Sequence, residues 1–229
     1  MGRTASAWSQ ASFPGALTAG ARGDAGWGHE DEAWAAGALR VAGLDEVGRG
    51  ALAGPVVVAA TIFPVGTRLG GLRDSKLLTP ARRAALDIVI RQHVSSVTVE
   101  RIEADEVDRL NVLEATLLAM SRAIERLSPP PDFLLVDALR LPGVTIPQRR
   151  LVHGDRVCAS IAAASIVAKV ERDRLMVEFE ATYPYYGFGD HKGYGTRAHL
   201  AALETRGPCP IHRRSFRRVL PDPPRRGLF

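Results

Sequence analysis

Cysteine is scarce. Only Cys158 and Cys209 occur in 229 residues, with no CxxC pair and no Cys/His cluster. Neither a zinc site nor a disulfide framework is expected, and a reducing compartment is. Long hydrophobic runs are missing too. Nothing approaches the ~20 apolar residues of a membrane span, and the first residues lack an apolar signal-like segment. No membrane partner is expected, and the cytoplasm is the expected location. Aromatics make up 6% of the chain, yet all three tryptophans, Trp8, Trp27 and Trp34, fall in its first 37 residues. No internal repeat is found.

What is present is ordinary in amount and uneven in placement. A hydrophobic fraction of 46% and a charged fraction of 24% suit one globular domain of this length. The net charge is +5. Residues 188–229 carry nine Lys/Arg against three Asp/Glu, whereas residues 1–37 carry Arg3 and Arg22 against Asp24, Glu30, Asp31 and Glu32. A basic C-terminal region is what a polyanion-binding face needs. Residues 1–37 are rich in Gly, Ala and Ser without a sustained period and read as a disordered tail, with Glu30–Ala36 as a candidate short helix. The domain is expected over 38–218, followed by a basic Pro/Arg-rich tail over 219–229.

The periodicity between those limits is α/β. Leu39–Leu44 and Pro55–Phe63 read as strands of a hairpin, and Ser96–Ile102 as a third strand. Thr79-Pro80 is an N-cap followed by proline at the first helical position, opening a helix to about His93. A helical turn over Ala104–Arg109 and a helix over Val112–Leu127 precede Pro129-Pro130-Pro131. Phe133–Val136 and Arg150–Val152 read as the fourth and fifth strands. A long helix is predicted over Ala159–Thr182, its first half nearly all small residues, with another over Arg197–Thr205. Five strands with helices between them predict a mixed sheet.

Four carboxylates share a position. Asp45, Glu46, Asp137 and Asp155 each fall at or just past the end of a predicted strand, where α/β sheets bind ligands. Converging there, they would repel one another unless cations neutralise them. Oxygen-only ligation points to Mg²⁺ or Mn²⁺. Two such ions roughly 3.5–4 Å apart suit phosphodiester hydrolysis. Neighbours in a strand face opposite ways, so Asp45 and Glu46 share a site only if the strand bends or if one contributes less directly, and the following glycines suit a bend. Taken alone, Asp155 also reads as a helix N-cap. Gly48-Arg-Gly-Ala-Leu-Ala53 matches the dinucleotide pattern G-x-G-x-x-A, but a strand follows where that pattern needs a helix. The glycines instead suit close approach of nucleic acid to the backbone, with Arg49 on a phosphate. His191, His199 and His212 are candidate general acids, with structural or phosphate-contacting roles as the alternative.

In this order, Gly43-Leu-Asp-Glu-Val-Gly-Arg-Gly50, Asp74-Ser-Lys76, Leu135-Val-Asp137, Gly154-Asp155, Ser160–Lys169 and His191-Lys-Gly-Tyr-Gly-Thr196 resemble the motifs of bacterial ribonuclease HII. The resemblance spans about residues 38–216. It implies a ribonuclease H-like fold with a C-terminal helical region. It also implies a monomeric, metal-dependent endonuclease that cleaves the RNA strand of RNA–DNA hybrids. Incision 5′ of single ribonucleotides in duplex DNA is implied as well, leaving 3′-hydroxyl and 5′-phosphate ends, with roles in ribonucleotide removal and RNA primer degradation. Carried over, Asp45, Glu46, Asp137 and Asp155 are the catalytic metal ligands for Mn²⁺ or Mg²⁺. Gly48, Arg49 and Gly50 sense the ribose 2′-hydroxyl, Tyr194 stacks on the adjoining sugar, and Lys76 contacts a phosphate. The family usually places glycine after the third carboxylate; here Ala138 stands there. Cys158 lies near the site and is a candidate for oxidation. Two alternatives stay open: a non-catalytic nucleic-acid-binding protein on this fold, and the sister ribonuclease HIII, which carries a folded N-terminal domain.

Overall fold

The computed structural model describes residues 23–220. In chain order it contains helix α1 (Gly28–Ala35), strands β1 (Val41–Val47) and β2 (Val56–Ile62), a 3-10 turn (Ser75–Leu77), helix α2 (Pro80–His93) and strand β3 (Ser96–Ile102). Helices α3 (Ala104–Leu110) and α4 (Val112–Arg126), then strands β4 (Phe133–Asp137) and β5 (Gln148–Leu151), follow. The chain ends in helices α5 (Gly154–Val157), α6 (Ala159–Thr182), α7 (Phe188–His191) and α8 (Arg197–Arg206). The strands form one mixed sheet in the order β3-β2-β1-β4-β5. β1–β2 and β2–β3 pair antiparallel, whereas β1–β4 and β4–β5 pair parallel. This is the α/β fold expected.

Strand alternation divides the core. Val57 and Ala59 face a cluster built on α2 and the alanines of α6, while Val56, Val58 and Ala60 face a cluster built on α4. The small-residue run of α6 has a steric reason. A Cβ at Gly43 of β1 would lie 2.3 Å from the Ser160 carbonyl carbon, so helix and strand meet backbone to backbone. Larger side chains at Ala162, Ala163 or Ala164, all buried, would lift the helix off the sheet.

β1 does not stop at Leu44. It continues through Asp45 and Glu46 to Val47, in unbroken register with β2 from Ala42↔Ile62 to Val47↔Val57. The bend expected at the carboxylates is absent; the left-handed backbone begins one residue later, at Gly48 (φ +91°).

The tail reading also fails over residues 23–37. Composition there is rich in Gly and Ala without a sustained period, but burial of a few residues decides the outcome. Glu30 is 1% exposed and accepts from the Ser160 amide (2.7 Å) and the Cys158 thiol (3.1 Å). Its carboxylate thus serves the first turn of α6, where unpaired amides and the helix dipole favour negative charge. Trp27 stacks edge-on against Phe63 (5.1 Å) and lies beside Trp34 (6.1 Å). Asp24, Asp31 and Glu32 pair with Arg73, Arg68 and Arg149. At the other end Val219 packs with Leu52 and Leu203, so the domain runs past residue 218. The remaining tail expectations, for 1–22 and 221–229, lie outside the described residues.

Candidate active site

β1 loses a neighbour where its carboxylates begin. Leu44↔Val136 is the last β1–β4 pair, and Asp137 ends β4 one step beyond. From there β1 is flanked on the β2 side only, so a side chain from either face of the strand can turn into the gap. That is how neighbours on an unbent strand come to share a site. Asp45, Glu46, Asp137 and Asp155 line one cavity of about 430 Å³, together with Val47, Ser75, Lys76, Ser165, Lys169 and Tyr194.

The cavity is electrostatically strained. Asp45 is 5% exposed. Burial first, then the charges of Glu46 and Asp137, push its carboxyl well above the usual carboxylate range, although the Ser165 hydroxyl and the Glu46 amide (2.7 Å) draw it back. Burial also raises Glu46, against the Arg49 guanidinium at 3.2 Å. Asp155, the second residue of α5, is raised by burial and then by Asp74 and Asp137. It does not cap a helix: the N-cap of α5 is left-handed His153 (φ 56°), with no side-chain cap. Asp137 accepts the Gly154 amide at 2.7 Å.

The donor set suits a hard divalent cation, being carboxylate oxygen throughout. One oxygen is left over: Glu46 Oε2 is buried without a partner among the described residues. As the side chains stand, no three of the described His, Cys, Asp or Glu groups converge on a single metal position. Glu46 is turned to Arg49 and Asp137 to Gly154, the internal partners available.

The other candidate residues fall in two places. Lys76 is exposed at the cavity rim, in the 3-10 turn capped by Asp74. Tyr194 is 36% exposed beside it. Gly48, Arg49 and Gly50 do not line the cavity and reach it only through the Arg49–Glu46 pair. The two glycines differ. A Cβ at Gly48 would lie 2.2 Å from Arg172 Nε, so its reason is internal, whereas a Cβ at Gly50 meets nothing within 4 Å. The Arg49 and Gly50 amides have no hydrogen-bond partner among the described residues.

The histidines support the Tyr194 loop and do not line the cavity. Cys209 N–H donates to His212 Nδ1 (3.0 Å), which places the His212 proton on Nε2, opposite His199 Nε2 (3.0 Å). His199 Nδ1 then donates to the Tyr194 carbonyl (3.0 Å). His191 stacks on His199 at 4.4 Å. Burial, then His199, pushes His212 down to about 4, and burial lowers His199. His199 and His212 are neutral structural rings, His191 is tied to the Tyr186 carbonyl (2.7 Å), and the general-acid reading is set aside. Cys158 is equally enclosed: burial, then Glu30, pushes its thiol well up, which removes the thiolate that oxidation needs.

Sequence reasoning missed Lys169, Arg172 and Arg213. Lys169 lines the cavity and is held by Asp173 (2.5 Å). Arg172 and Arg213 lie fully buried behind the glycine loop. The available signal was a helical stripe, Ser165, Lys169, Arg172 and Met176, continuing a buried small-residue face.

Comparison with known proteins agrees with this geometry. The family model described as Ribonuclease HII matches residues 42–219. Ribonuclease HII of Desulfitobacterium hafniense (strain DSM 10664 / DCB-2) is 54% identical over 187 residues, 82% of this chain and 72% of that one. Ribonuclease HII of Geobacter sulfurreducens is 50% identical over 193 residues, 84% and 89% of the two chains. In fold, the chain is similar to ribonuclease H2 of Pyrococcus horikoshii OT3 (TM-score 0.69, 24% identity, covering 79% of this chain and 95% of that one). It is also similar to a structure of the PCNA:RNase HII complex from Archaeoglobus fulgidus (TM-score 0.61, 26% identity, 73% and 88%). The chain belongs to the ribonuclease HII family and is an endoribonuclease of the ribonuclease H type.

Proposed function

We propose that this enzyme cleaves the RNA strand of RNA–DNA hybrids and incises duplex DNA on the 5′ side of a single embedded ribonucleotide, leaving 3′-hydroxyl and 5′-phosphate ends. The observation that carries the reading is the cavity itself: carboxylates from β1, β4 and α5 beside Tyr194, with the unpartnered Arg49 and Gly50 amides next to them. Asp45, Glu46, Asp137 and Asp155 would hold Mn²⁺ or Mg²⁺. The buried, mutually repelling carboxylates and the unpartnered Glu46 oxygen support that assignment. When bound, such ions supply an activated water and neutralise the departing oxygen.

The chain's own residues do the recognition. Amides at Arg49 and Gly50 approach the ribose closely because Gly50 carries no Cβ, and a 2′-hydroxyl can accept from them. The ring of Tyr194 stacks on the sugar 3′ to the ribonucleotide and rejects a second 2′-hydroxyl by contact. Lys76 takes a backbone phosphate from the rim. All of these groups come from one chain, and the reading takes the enzyme to act as a monomer.

The test is an incision assay on duplex DNA with one ribonucleotide, with and without Mn²⁺. Cleavage 5′ of that ribonucleotide, only with metal, is expected. Tyr194→Ala should lower cutting of this substrate more than cutting of a uniform hybrid. Equal losses would remove the junction role, and metal-independent cutting would remove the ligand assignment.

A further inference from the structure

We propose that Arg172 is a positioning residue that ties the loop 48–55 and the Tyr194 loop into one rigid reader, so that ribose and junction are inspected together. The proposal rests on the function proposed above. Arg172 is 0% exposed and has no carboxylate at salt-bridge distance among the described residues. Its donors go to backbone carbonyls of two separate segments. Nε reaches Pro55 (3.0 Å) and Nη2 reaches Ala53 (3.0 Å) in the first loop, while Nη1 reaches Lys192 (2.9 Å) in the second. The guanidinium carbon also lies 5.4 Å from the centre of the Tyr194 ring. Arg213 repeats the device. It is 0% exposed and donates to the carbonyls of Arg49 (3.0 Å) and Gly54 (3.0 and 2.7 Å).

A guanidinium buried without a counter-charge is costly, and an apolar side chain of similar volume would fill the space more favourably. What the planar fork does that a Leu or Met cannot is fix several carbonyls in one geometry. The result has a direction. Carbonyls of Arg49, Ala53, Gly54, Pro55 and Lys192 all point inward to the two arginines, and the Arg49 and Gly50 amides are left without internal partners. Leu52 N–H donates to the Gly193 carbonyl (2.8 Å), and a Cβ at Gly193 would lie 2.3 Å from the Ala53 oxygen. The loops therefore touch directly, with Arg172 at their junction. Glycine at 48 is part of the same packing, since Arg172 Nε occupies the place of a Cβ there.

The test compares Arg172→Lys with wild type on two substrates, reading kcat and KM separately. Lysine keeps the charge but offers donors from a single nitrogen, which cannot hold the three carbonyls of both loops in the geometry of the guanidinium fork. With duplex DNA holding one ribonucleotide, where both loops are in use, kcat should fall about a hundredfold, the scale of an ångström's misplacement. With uniform RNA–DNA hybrid, where the tyrosine contact is idle, it should fall about tenfold less than that. In a Tyr194→Ala background, adding Arg172→Lys should cost both substrates the same factor. Equal losses in the two substrates with Tyr194 intact would show a merely structural arginine and overturn the proposal. If Arg172→Lys does not fold, amide exchange in the wild-type protein decides. The hydrogen-bonded amides of Ala51–Gly54 and of Lys192, Gly193, Tyr194 and Thr196 should open as one unit, and opening with unlinked rates overturns the tie. Wild type cutting neither substrate would remove the proposed function, while the exchange experiment would still judge the tie.

Discussion

The acidic cavity and the glycine loop adjoin each other and are held in opposite ways. In the cavity, like charges are buried together: burial and the charge of Asp137 raise the proton affinity of Asp45, Glu46 and Asp155, Glu46 adds to that of Asp45, and a Glu46 oxygen is left without a partner among the described residues. In the loop, opposite partners are in surplus. Two buried arginines satisfy carbonyls of five residues, and the left-handed backbone is carried by glycine at 48 and 54. The cavity is less stable than it would be without its charges, and the loop is more rigid than a glycine-rich sequence suggests. On the function proposed above, a site that accepts cations keeps a deficit to be filled, while a site that measures one hydroxyl keeps its geometry fixed beforehand.

The largest break in this comparison is Asp45→Asn. It should lower incision by on the order of a thousandfold or more, since a proposed metal ligand of the reacting centre is lost. The same change should raise the melting temperature of the metal-free protein, because it removes buried repulsion. The pH dependence has a definite sign. Asp45 holds its proton more tightly folded than unfolded, so its carboxyl costs no stability at low pH and destabilises as pH rises through the folded value. Mn²⁺ should therefore raise the melting temperature more at pH 8 than at pH 5. Asp45→Asn should flatten that difference, and an Mn²⁺ shift equal at both pH values would count against the charge deficit.

The loop is broken at Gly48 and sharpened at Gly50. Gly48→Ala places a Cβ 2.2 Å from Arg172 Nε at φ +91°, and should cost about 2–4 kcal/mol in urea unfolding. Gly50→Ala meets nothing within 4 Å and should leave stability within about 0.5 kcal/mol while lowering incision. Equal stability losses would mean that the two glycines serve one purpose.

How much of this was legible in the sequence follows from how local each cause is. The bounds of α6, Ala159–Thr182, could be read because small residues at helical spacing and the Tyr183-Pro184 stop are local signals. The four carboxylates could be read because each follows a strand pattern. β1 was read three residues short, because a run of apolar residues is a proxy for strand pairing, and Asp45 to Val47 pair with β2 regardless of polarity. Helix α1 was legible only as a candidate short helix around Glu30–Ala36 within a tail, because its stability comes from Glu30 meeting a helix start 130 residues away. Arg172 looked like one of several charges in Glu171-Arg172-Asp173-Arg174; only the chain's return at Lys192 makes it interior.

The histidine network supporting the Tyr194 loop offers a smaller test. His212 titrates near 4 folded against 6.5 unfolded. As pH falls below 6.5 the unfolded chain takes up a proton that the folded ring refuses, so stability is lost between 6.5 and 4 and levels off below. At pH 4.5 the loss due to this ring should be about 1–2 kcal/mol after allowance for solvent screening. His212→Gln should reduce the drop in urea midpoint between pH 7.5 and 4.5, and an unchanged drop would place the acid sensitivity elsewhere.

The smallest expected effect lies at Ala138, where a side chain stands in left-handed backbone (φ 49°) directly after Asp137. The turn is imposed from both sides: the Ala138 amide donates to the Leu151 carbonyl (2.8 Å), and the Leu139 amide to the Asp137 carbonyl (2.5 Å). Alanine in that conformation carries about 1–2 kcal/mol of steric cost, and glycine would avoid it while adding about 0.4–1 kcal/mol of unfolded-state entropy. Ala138→Gly should therefore stabilise the fold by about 0.5–1 kcal/mol and leave the Asp137–Gly154 hydrogen bond intact. Incision should stay within about twofold, because the carboxylate is fixed by β4 and by Gly154 rather than by the residue after it. A stability gain joined to a large loss of activity would mean that the strained turn at Ala138, and not the strand, sets the reach of Asp137 into the cavity.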